Sequence, residues 1–129
     1  MKYIEVVAAF IIKDNKVLCC KRGPGRDLEG YFEFPGGKIE VNETKEEALI
    51  REIKEELNID ISIDSYITTI EYDYPSFHLI MHVYRCSILN GIISLNEHTD
   101  SIWCNVNELS DINFAPGDLK VLKYINLDV

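Results

Sequence analysis

Three glutamates in one short stretch carry the clearest chemical signal in this chain. Glu52, Glu55 and Glu56 are spaced i, i+3 and i+4, so they share one face if the segment is helical. Carboxylates held so close together repel one another unless a cation lies between them. Hard oxygen ligands of this kind suit Mg²⁺, and Mn²⁺ is also possible. On spacing alone, however, a solvated acidic helix face is the favoured interpretation, because glutamate-rich helices are common.

A helix has to position these carboxylates, and the sequence marks both of its ends. Thr44 followed three residues later by Glu47 forms a capping box, which predicts that a helix begins near Lys45. Asn58 is the next-best residue after glycine for the left-handed conformation that closes a helix. The apolar residues that recur at helical spacing and should face the core are Ala48, Leu49, Ile50, Ile53 and Leu57.

The segment just before this helix favours a metal site over a solvated acidic face. Phe34-Pro35-Gly36-Gly37 follows a strand-like run, and we expect it to form a sharp, glycine-rich turn. Glycines at such a place let the backbone approach a ligand closely. The glutamates lie beside the apolar stripe of the helix, which puts them at the edge of the core, where a cleft can form.

The overall charge excludes one class of partner. The chain of 129 residues has a net charge of −9, and residues 43–64 are strongly acidic. A protein of this kind has no broad basic surface with which to bind duplex nucleic acid. A polyphosphate would also be repelled unless it arrived with bound metal, so the acidity agrees with a metal-dependent site for small anions. The length predicts one domain over residues 1–129.

Neither the apolar runs nor the cysteines indicate a membrane or secreted protein. No apolar run is long enough to span a membrane, and the N-terminus lacks the features of a signal peptide, so we expect a cytoplasmic location. The cysteines show no C-x-x-C spacing and are expected to be reduced and buried: Cys19, Cys20, Cys86 and Cys104. The histidines lack a ligand pattern and are expected to be packed or hydrogen-bonded: His78, His82 and His98.

The order of predicted elements is strands, helix, strands, helix, which is typical of a mixed sheet between helices. The strand-like runs are residues 3–13, 16–21, 31–34, 61–74, 77–89 and 102–106. Asn90-Gly91 is a strong signal for a hairpin turn. Pro116 is expected to open a final helix with Leu119, Leu122 and Ile125 on its inner face. The fold class predicted is therefore an α/β sandwich.

The stretch from Gly37 to Ile59 resembles the signature of the Nudix hydrolases, G-x5-E-x7-R-E-U-x-E-E-x-G-U, where U is aliphatic. It departs at one position, where Asn58 replaces the second glycine. The flanking segments are most similar to those of MutT-type nucleoside triphosphate pyrophosphohydrolases, including the CTP pyrophosphohydrolase branch. These segments are residues 4–9, 32–38, 71–75 and 115–118. The resemblance implies an α/β/α sandwich and metal-assisted cleavage of a diphosphate.

The resemblance also implies roles for individual residues. Arg51 would pair with Glu43 and hold the preceding loop against the helix. Glu97 would either bind metal or accept the proton of the attacking water, although an ordinary loop acid is an equally good interpretation. The implied catalytic residues are Glu43, Arg51, Glu52, Glu55 and Glu97. The implied metal ligands are the carbonyl of Gly36 and the carboxylates of Glu52, Glu55, Glu56 and Glu97.

Substrate contacts follow in the same way, each with a structural alternative. Arg22 or Lys38 would contact phosphate, unless each forms only a surface salt bridge. Tyr74 or Phe77 would stack on the base, unless they belong to the core. Asp118 would accept from an exocyclic amine such as that of cytosine, or pair with a purine edge when protonated. Its alternative is a helix N-terminal acid stabilised by the helix dipole. Phe34 completes the predicted substrate-binding set.

The leading hypothesis is a Mg²⁺-dependent (d)NTP pyrophosphohydrolase in which water attacks the β-phosphorus, releasing a monophosphate and diphosphate. Its substrates would be oxidised or modified nucleotides such as 8-oxo-dGTP, or CTP and dCTP, and the protein a monomer or weak homodimer. A second hypothesis is a nucleoside-diphosphate hydrolase such as an ADP-ribose pyrophosphatase, for which Pro75, sixteen residues past the motif, is the weak sequence signal. A third is a non-catalytic nucleotide-binding module.

Overall fold

The computed structural model describes residues 2–125, whose seven strands form a mixed sheet. The strands are β1 (Lys2–Lys13), β2 (Lys16–Lys21), β3 (Phe32–Glu33), β4 (Gly36–Lys38), β5 (Asp60–Tyr74), β6 (Phe77–Asn90) and β7 (Asp100–Asn105). The helices are α1 (Lys45–Leu57) and α2 (Pro116–Leu119), and short 3-10 helices span Val106–Asp111 and Lys120–Tyr124. No helix within this described part of the chain is long and apolar enough to cross a membrane.

Strand β1 lies at the centre of the sheet and joins its two halves. It runs parallel to β6 and antiparallel to β4, with Ala8 opposite Gly36. Its far end pairs with β2, which in turn pairs with β3 and β7. Strand β5 completes the sheet as the antiparallel neighbour of β6. Parallel and antiparallel pairs therefore coexist, which confirms the predicted mixed sheet.

Each face of the sheet covers its own apolar core, because successive side chains of a strand point to opposite faces. Val7 and Ile11 of β1 pack with Leu49, Ile53 and Leu57 of α1 on one face. On the other face, Ala8 and Phe10 of β1 pack with residues such as Val121 from the C-terminal short helices. The α/β/α sandwich is confirmed.

Helix α1 begins and ends where the sequence predicts. The backbone N–H of Glu47 donates to Oγ1 of Thr44, and the backbone N–H of Thr44 donates to Oε1 of Glu47 at 2.8 Å. Asn58 closes the helix in the left-handed conformation, with φ 62° and ψ 31°. The predicted buried stripe is wrong at Ile50, which is 44% exposed. Because each residue turns the helix by about 100°, Ile50 falls just outside the buried arc, while Glu56 falls inside it.

The turn predicted over Phe34-Pro35-Gly36-Gly37 is only a bend at Pro35, because Gly36 and Gly37 already belong to strand β4. The glycines instead permit close packing. A Cβ atom on Gly36 would lie 1.9 Å from the carbonyl oxygen of Val7 in β1. The pairing of β4 with β1 therefore requires the absence of a side chain at residue 36.

The predicted hairpin turn at Asn90-Gly91 is also wrong. After β6 the chain runs irregularly along the C-terminal end of α1 before entering β7, and the N–H of Ser94 donates to the carbonyl of Leu57 at 2.9 Å. The last carbonyls of a helix have no hydrogen-bond partner within the helix, and backbone N–H groups of this segment donate to them. The tight hairpin lies instead between β5 and β6, where Tyr74 pairs with Phe77 around Pro75.

The predicted final helix is shorter than expected and only partly oriented as expected. Four residues of α-helix pass directly into a 3-10 helix. Leu119 is 47% exposed, so its predicted inward position is wrong, whereas Leu122 and Ile125 do pack against the core. The buried side chains here are Asp118 and Val121. The cysteines are free and buried, as expected: Cys19, Cys20, Cys86 and Cys104.

Candidate active site

Arg51 is the centre of an ion-pair network that joins α1 to the chain before it. Its Nε and Nη2 atoms donate to the two carboxylate oxygens of Glu43, at 2.6 and 2.9 Å. Nη2 also donates to the backbone carbonyl of Lys38 at 2.9 Å, and Nη1 donates to Glu52 at 2.8 Å. These hydrogen bonds lower the pKa of Glu43 below its usual value, with Arg51 as the main cause. The fork of Arg51 therefore fixes β4 and the loop against the helix.

The three motif glutamates share one side of α1 but differ sharply in exposure. The side chain of Glu55 is 58% exposed, that of Glu52 is 17% exposed, and that of Glu56 is 3% exposed. Glu52 lies directly over Gly37, where a Cβ atom would approach its Oε1 atom to 2.2 Å. Burial raises the pKa of Glu52, and the charges of Glu55 and Glu97 add to this, while Arg51 opposes it.

Glu56 is the most unusual of the three, because its Oε1 atom is buried without a hydrogen-bond partner. Burial, followed by the charges of Glu33, Glu97 and Glu52, raises its pKa to about 9. A buried carboxylate left unpaired is costly unless something compensates for it. A hard divalent cation would do so, and carboxylate oxygens are the donors that it prefers.

The structure places Glu97 next to these acids, on the irregular segment 91–99. Its side chain is exposed, and its charge contributes to the raised pKa values of Glu52 and Glu56. Asn96, its neighbour, donates from its backbone N–H to the carbonyl of Glu56 at 3.0 Å. Within residues 2–125, no three His, Cys, Asp or Glu side chains already converge as a coordination sphere; Arg51 holds Glu52 and Glu55 instead. The donor types nevertheless fit a hard cation.

A cleft of about 550 Å³ opens beside the acids. Gly36 and Gly37 of β4 form the part of its wall nearest α1, and Tyr74 and Phe77 form an aromatic part, their ring centroids 5.0 Å apart. All six residues predicted to contact substrate line this cleft: Arg22, Phe34, Lys38, Tyr74, Phe77 and Asp118. The fold therefore gathers residues that lie up to 96 positions apart between Arg22 and Asp118.

Asp118 is a buried acid of the cleft wall. Its Oδ2 atom accepts a hydrogen bond from the backbone N–H of Phe34 at 3.0 Å. Burial raises its pKa to about 8, and the charge of Glu33 contributes to the shift. Helix α2 has only four residues, so its dipole is too small to explain a buried carboxyl there. The contact with Phe34 is the stronger structural reason for an acid at this position.

The two predicted phosphate contacts differ in their surroundings. Arg22 is part-buried, and its Nη1 atom pairs with Oε1 of Glu33 at 2.7 Å while its Nε atom donates to the carbonyl of Asp27. Lys38 is exposed at the rim of the cleft. Arg22 therefore already forms an ion pair inside the cleft, whereas Lys38 extends from its edge.

Three residues of the site were not predicted from the sequence. Arg26 and Glu33 line the cleft, and His98 lies beneath the acids, 3.6 Å from Glu56. The buried side-chain polar atoms without a hydrogen-bond partner in the described chain are Arg26 Nη1, Glu56 Oε1 and His98 Nδ1. The sequence does contain a signal for Glu33. It is an acid between Phe32 and Phe34 in a strand, and such an acid needs a partner when it is buried.

Comparison with known proteins agrees with the geometry of this site. A family model described as the NUDIX domain matches residues 6–124. The chain belongs to the Nudix family. It is 34% identical over 123 residues to the CTP pyrophosphohydrolase of Escherichia coli (strain K12), covering 95% of this chain and 91% of the relative. It is also 38% identical over 81 residues to the 8-oxo-dGTP diphosphatase of Proteus vulgaris, covering 62% of this chain and 72% of that protein.

A solved structure supports the same assignment. The NMR structure of the MutT Nudix hydrolase from methicillin-resistant Staphylococcus aureus 252 superposes with a TM-score of 0.76 at 40% identity. The match covers 95% of each chain. The similarity therefore extends over the whole fold, well beyond the helix that carries the acids.

Proposed function

We propose that this Nudix protein is a nucleoside triphosphate pyrophosphohydrolase that converts a (d)NTP and water into a (d)NMP and diphosphate. One observation carries the proposal. A cleft with aromatic residues and a buried acid, Asp118, continues past Gly37 to a cluster of carboxylates that includes the unpartnered Glu56. A nucleotide placed along this cleft would direct its base toward Asp118 and its phosphates toward the acids. The activities named for the two relatives support this class of substrate.

Nudix proteins generally use a divalent metal, and we propose Mg²⁺, with Mn²⁺ as a substitute. The residues that would hold it are the carbonyl of Gly36 and the carboxylates of Glu52, Glu55, Glu56 and Glu97. When bound, such an ion neutralises phosphate charge and lowers the pKa of a coordinated water. The unpartnered oxygen of Glu56 is the observation in this chain that supports the assignment.

The remaining residues of the cluster orient the reacting groups. Arg51 stays charged, because its carboxylate partners raise its pKa further, and its hydrogen bonds hold both Glu43 and Glu52. The proton of the attacking water passes to a carboxylate of the cluster, and Glu55 and Glu97 are its exposed members. We propose attack at the β-phosphorus, so that the bridge between the α- and β-phosphorus atoms breaks, the monophosphate leaves and the water oxygen stays in the diphosphate.

The opposite part of the cleft would select the base. Asp118 has a pKa of about 8, so its carboxyl is mostly protonated at neutral pH and can both donate and accept hydrogen bonds. This suits the amine of cytosine or the edge of an oxidised guanine. Phe77 offers a stacking face, whereas Tyr74 is buried in the core and stacks on Phe77 from behind. Arg22, Arg26 and Lys38 lie along the cleft as contacts for phosphate.

The test is a product-resolved hydrolysis panel with Mg²⁺ that includes CTP, dCTP, 5-methyl-dCTP, 8-oxo-dGTP, dGTP and ADP-ribose. We expect monophosphate and diphosphate from one group of triphosphates, and no product with the Glu56→Gln variant. Asp118→Ala should change the ranking of bases more than the metal requirement. Activity confined to ADP-ribose would support the second hypothesis. Pro75 no longer counts as evidence for that hypothesis, because it forms the β5–β6 turn. Binding of nucleotide without any product would indicate a non-catalytic module.

We further propose that the protein works on the cytoplasmic nucleotide pool as a monomer or weak homodimer, with oxidised or modified nucleotides or cytidine triphosphates as its substrates. Its net charge of −9 supports small nucleotides over duplex nucleic acid as partners. Its free, buried cysteines agree with a reducing compartment.

A further inference from the structure

His98 lies between two acids beneath the active site. Its side chain is fully buried, and its Nε2 atom is 2.7 Å from Oε2 of Glu33. Its other ring nitrogen, Nδ1, lies 3.6 Å from Oε2 of Glu56 and has no hydrogen-bond partner. The ring therefore spans the space between the floor of the cleft and helix α1.

Glu33 extends this connection into the cleft. Its second oxygen, Oε1, pairs with Nη1 of Arg22 at 2.7 Å. Burial alone would raise the pKa of Glu33, but hydrogen bonds from His98 and Arg22 outweigh it and the pKa is lowered. Because an ionised carboxylate only accepts hydrogen bonds, the Nε2 atom of His98 must donate. Arg22, Glu33 and His98 thus form a hydrogen-bonded path from the cleft, which ends at Nδ1 of His98, 3.6 Å from Glu56 of α1.

His98 is also the direct neighbour of Glu97 in the chain. Segment 91–99 has no regular structure, and its hydrogen bonds to the rest of the fold include those of Asn96 to Glu56 and of Thr99 to Lys21, at 3.0 and 3.1 Å. His98 is the buried residue between these two points. An irregular segment keeps an exposed side chain in place only where its own buried residues are held. The buried ring of His98 is thus a further attachment of this segment, directly beside Glu97.

We propose that His98 is a positioning residue that, through its hydrogen bond to Glu33, holds Glu56 and Glu97 in place to bind the divalent metal. The proposal rests on the metal-dependent function proposed above. Residues behind metal ligands commonly orient them, and their loss typically lowers metal affinity or activity about 10- to 100-fold. Arg22 is part of the same path, so the proposal also links the phosphate side of the cleft to the metal ligands.

A matched control is available in strand β6. His82 is also buried and bonded to a carboxylate, with its Nε2 atom 2.6 Å from Glu5. Its Nδ1 atom, however, is bonded to Thr69 at 2.8 Å, and no motif glutamate is among its partners. If His98 served only to fill the core, asparagine at residue 98 and asparagine at residue 82 should have similar effects on every property.

The experiment compares wild type with His98→Asn, His98→Gln and His82→Asn. Glutamine can place its amide nitrogen near the position of Nε2 and so keep the bond to Glu33, whereas asparagine is too short. Mn²⁺ binding to the nucleotide-free protein is measured by electron paramagnetic resonance, alongside thermal unfolding, kcat and KM. We expect His98→Asn to weaken Mn²⁺ binding and lower kcat by about 10- to 100-fold, with a smaller change in KM. His98→Gln should restore most of both, and His82→Asn should change only thermal stability.

Three results would overturn the proposal. The first is normal Mn²⁺ affinity and kcat in folded His98→Asn, and the second is an equal loss in His82→Asn. The third is a wild-type protein that binds no Mn²⁺. Failure of the proposed function is a separate result, because it shows as absence of nucleotide hydrolysis in wild type while the Mn²⁺ measurements still report on His98.

Discussion

The backbone N–H of Phe34 donates a hydrogen bond to Oδ2 of Asp118 at 3.0 Å, and the two residues lie 84 positions apart. The bond joins the end of β3 to the start of α2 across the floor of the cleft. It also keeps the carboxyl of Asp118 in a buried position, where its pKa rises from 3.8 to about 8. Asp118 should therefore contribute to the pH dependence of the stability of the fold.

The Asp118→Asn variant tests this dependence. Between about pH 4 and pH 8 the folded protein holds a proton on Asp118 that the unfolded chain has released, so raising the pH favours unfolding. The free energy of unfolding should fall by up to about 1.4 kcal/mol per pH unit from this group and level off above pH 8. Asparagine still accepts from Phe34 but does not titrate, so the variant should lack this contribution.

The measurement is urea unfolding of metal-free protein at a series of pH values for both proteins. Only the difference between the two curves is interpreted, because other groups titrate in both. Parallel curves from pH 4 to pH 8 would show that Asp118 has an ordinary pKa and is ionised in the folded protein at neutral pH.

Gly36 and Gly37 offer a test in which neighbouring substitutions should fail for different reasons. A Cβ atom on Gly36 would lie 1.9 Å from the carbonyl oxygen of Val7, and backbone atoms in paired strands cannot move aside. Gly36→Ala should therefore destabilise the fold by more than about 3 kcal/mol. A Cβ atom on Gly37 would meet the flexible carboxylate of Glu52, so Gly37→Ala should fold but lose at least about 10-fold in kcat.

Chemical denaturation and steady-state hydrolysis of the same samples separate the two effects. Comparable stability in the two variants would mean that the β1–β4 pairing tolerates a side chain at residue 36. A Gly37→Ala variant with normal kcat would show that the position of Glu52 over Gly37 is unimportant for turnover.

Local signals in the sequence were sufficient for the elements that hold the acids. The capping box at Thr44 and the left-handed Asn58 each depend on a few neighbouring residues, so both ends of α1 could be predicted. Asn90-Gly91 shows the limit of such signals. The dipeptide suits a tight turn, but the open carbonyls at the end of α1 bind the following segment and direct the chain elsewhere. Tertiary contacts of this kind cannot be recognised from the local sequence.

The candidate site also contains some features that local sequence signals predict and others that they do not. The spacing of Glu52, Glu55 and Glu56 placed them on one side of a helix, but the sequence does not show that Glu56 alone is buried. That difference arises because Glu56 falls within the arc of α1 that faces the sheet. The contact of Glu33 with His98 joins residues 65 positions apart, so neither residue could be assigned to the site before the strands were placed.

Arg51→Lys tests whether the shape of the Arg51 side chain matters as well as its charge. Arginine donates to both oxygens of Glu43, to the carbonyl of Lys38 and to Glu52 at the same time. Lysine keeps the charge but cannot reproduce this planar fork. We expect a loss of about 2 kcal/mol in the free energy of unfolding and a lower kcat, because Glu52 loses its restraint. An unchanged free energy of unfolding and an unchanged kcat would show that only the charge at residue 51 matters.

Glu56→Gln should separate stability from function. In metal-free protein the carboxyl of Glu56 is buried, one of its oxygens has no partner, and three other acids surround it. Replacing an unpaired buried carboxyl with a neutral amide of the same shape removes this unfavourable burial, so the metal-free variant should be more stable by about 1 kcal/mol or more. The same change removes an anionic oxygen from the proposed metal site and should lower kcat by orders of magnitude.

Thermal unfolding with and without Mn²⁺ provides the measurement for this variant. Added Mn²⁺ should stabilise the wild type, because a ligand that binds only the folded state shifts the equilibrium toward it, and it should stabilise Glu56→Gln much less. A variant that is less stable than metal-free wild type would mean that Glu56 makes favourable contacts of its own in the absence of metal. Its burial would then reflect structural packing, and its unpartnered oxygen would no longer indicate a cation at this position.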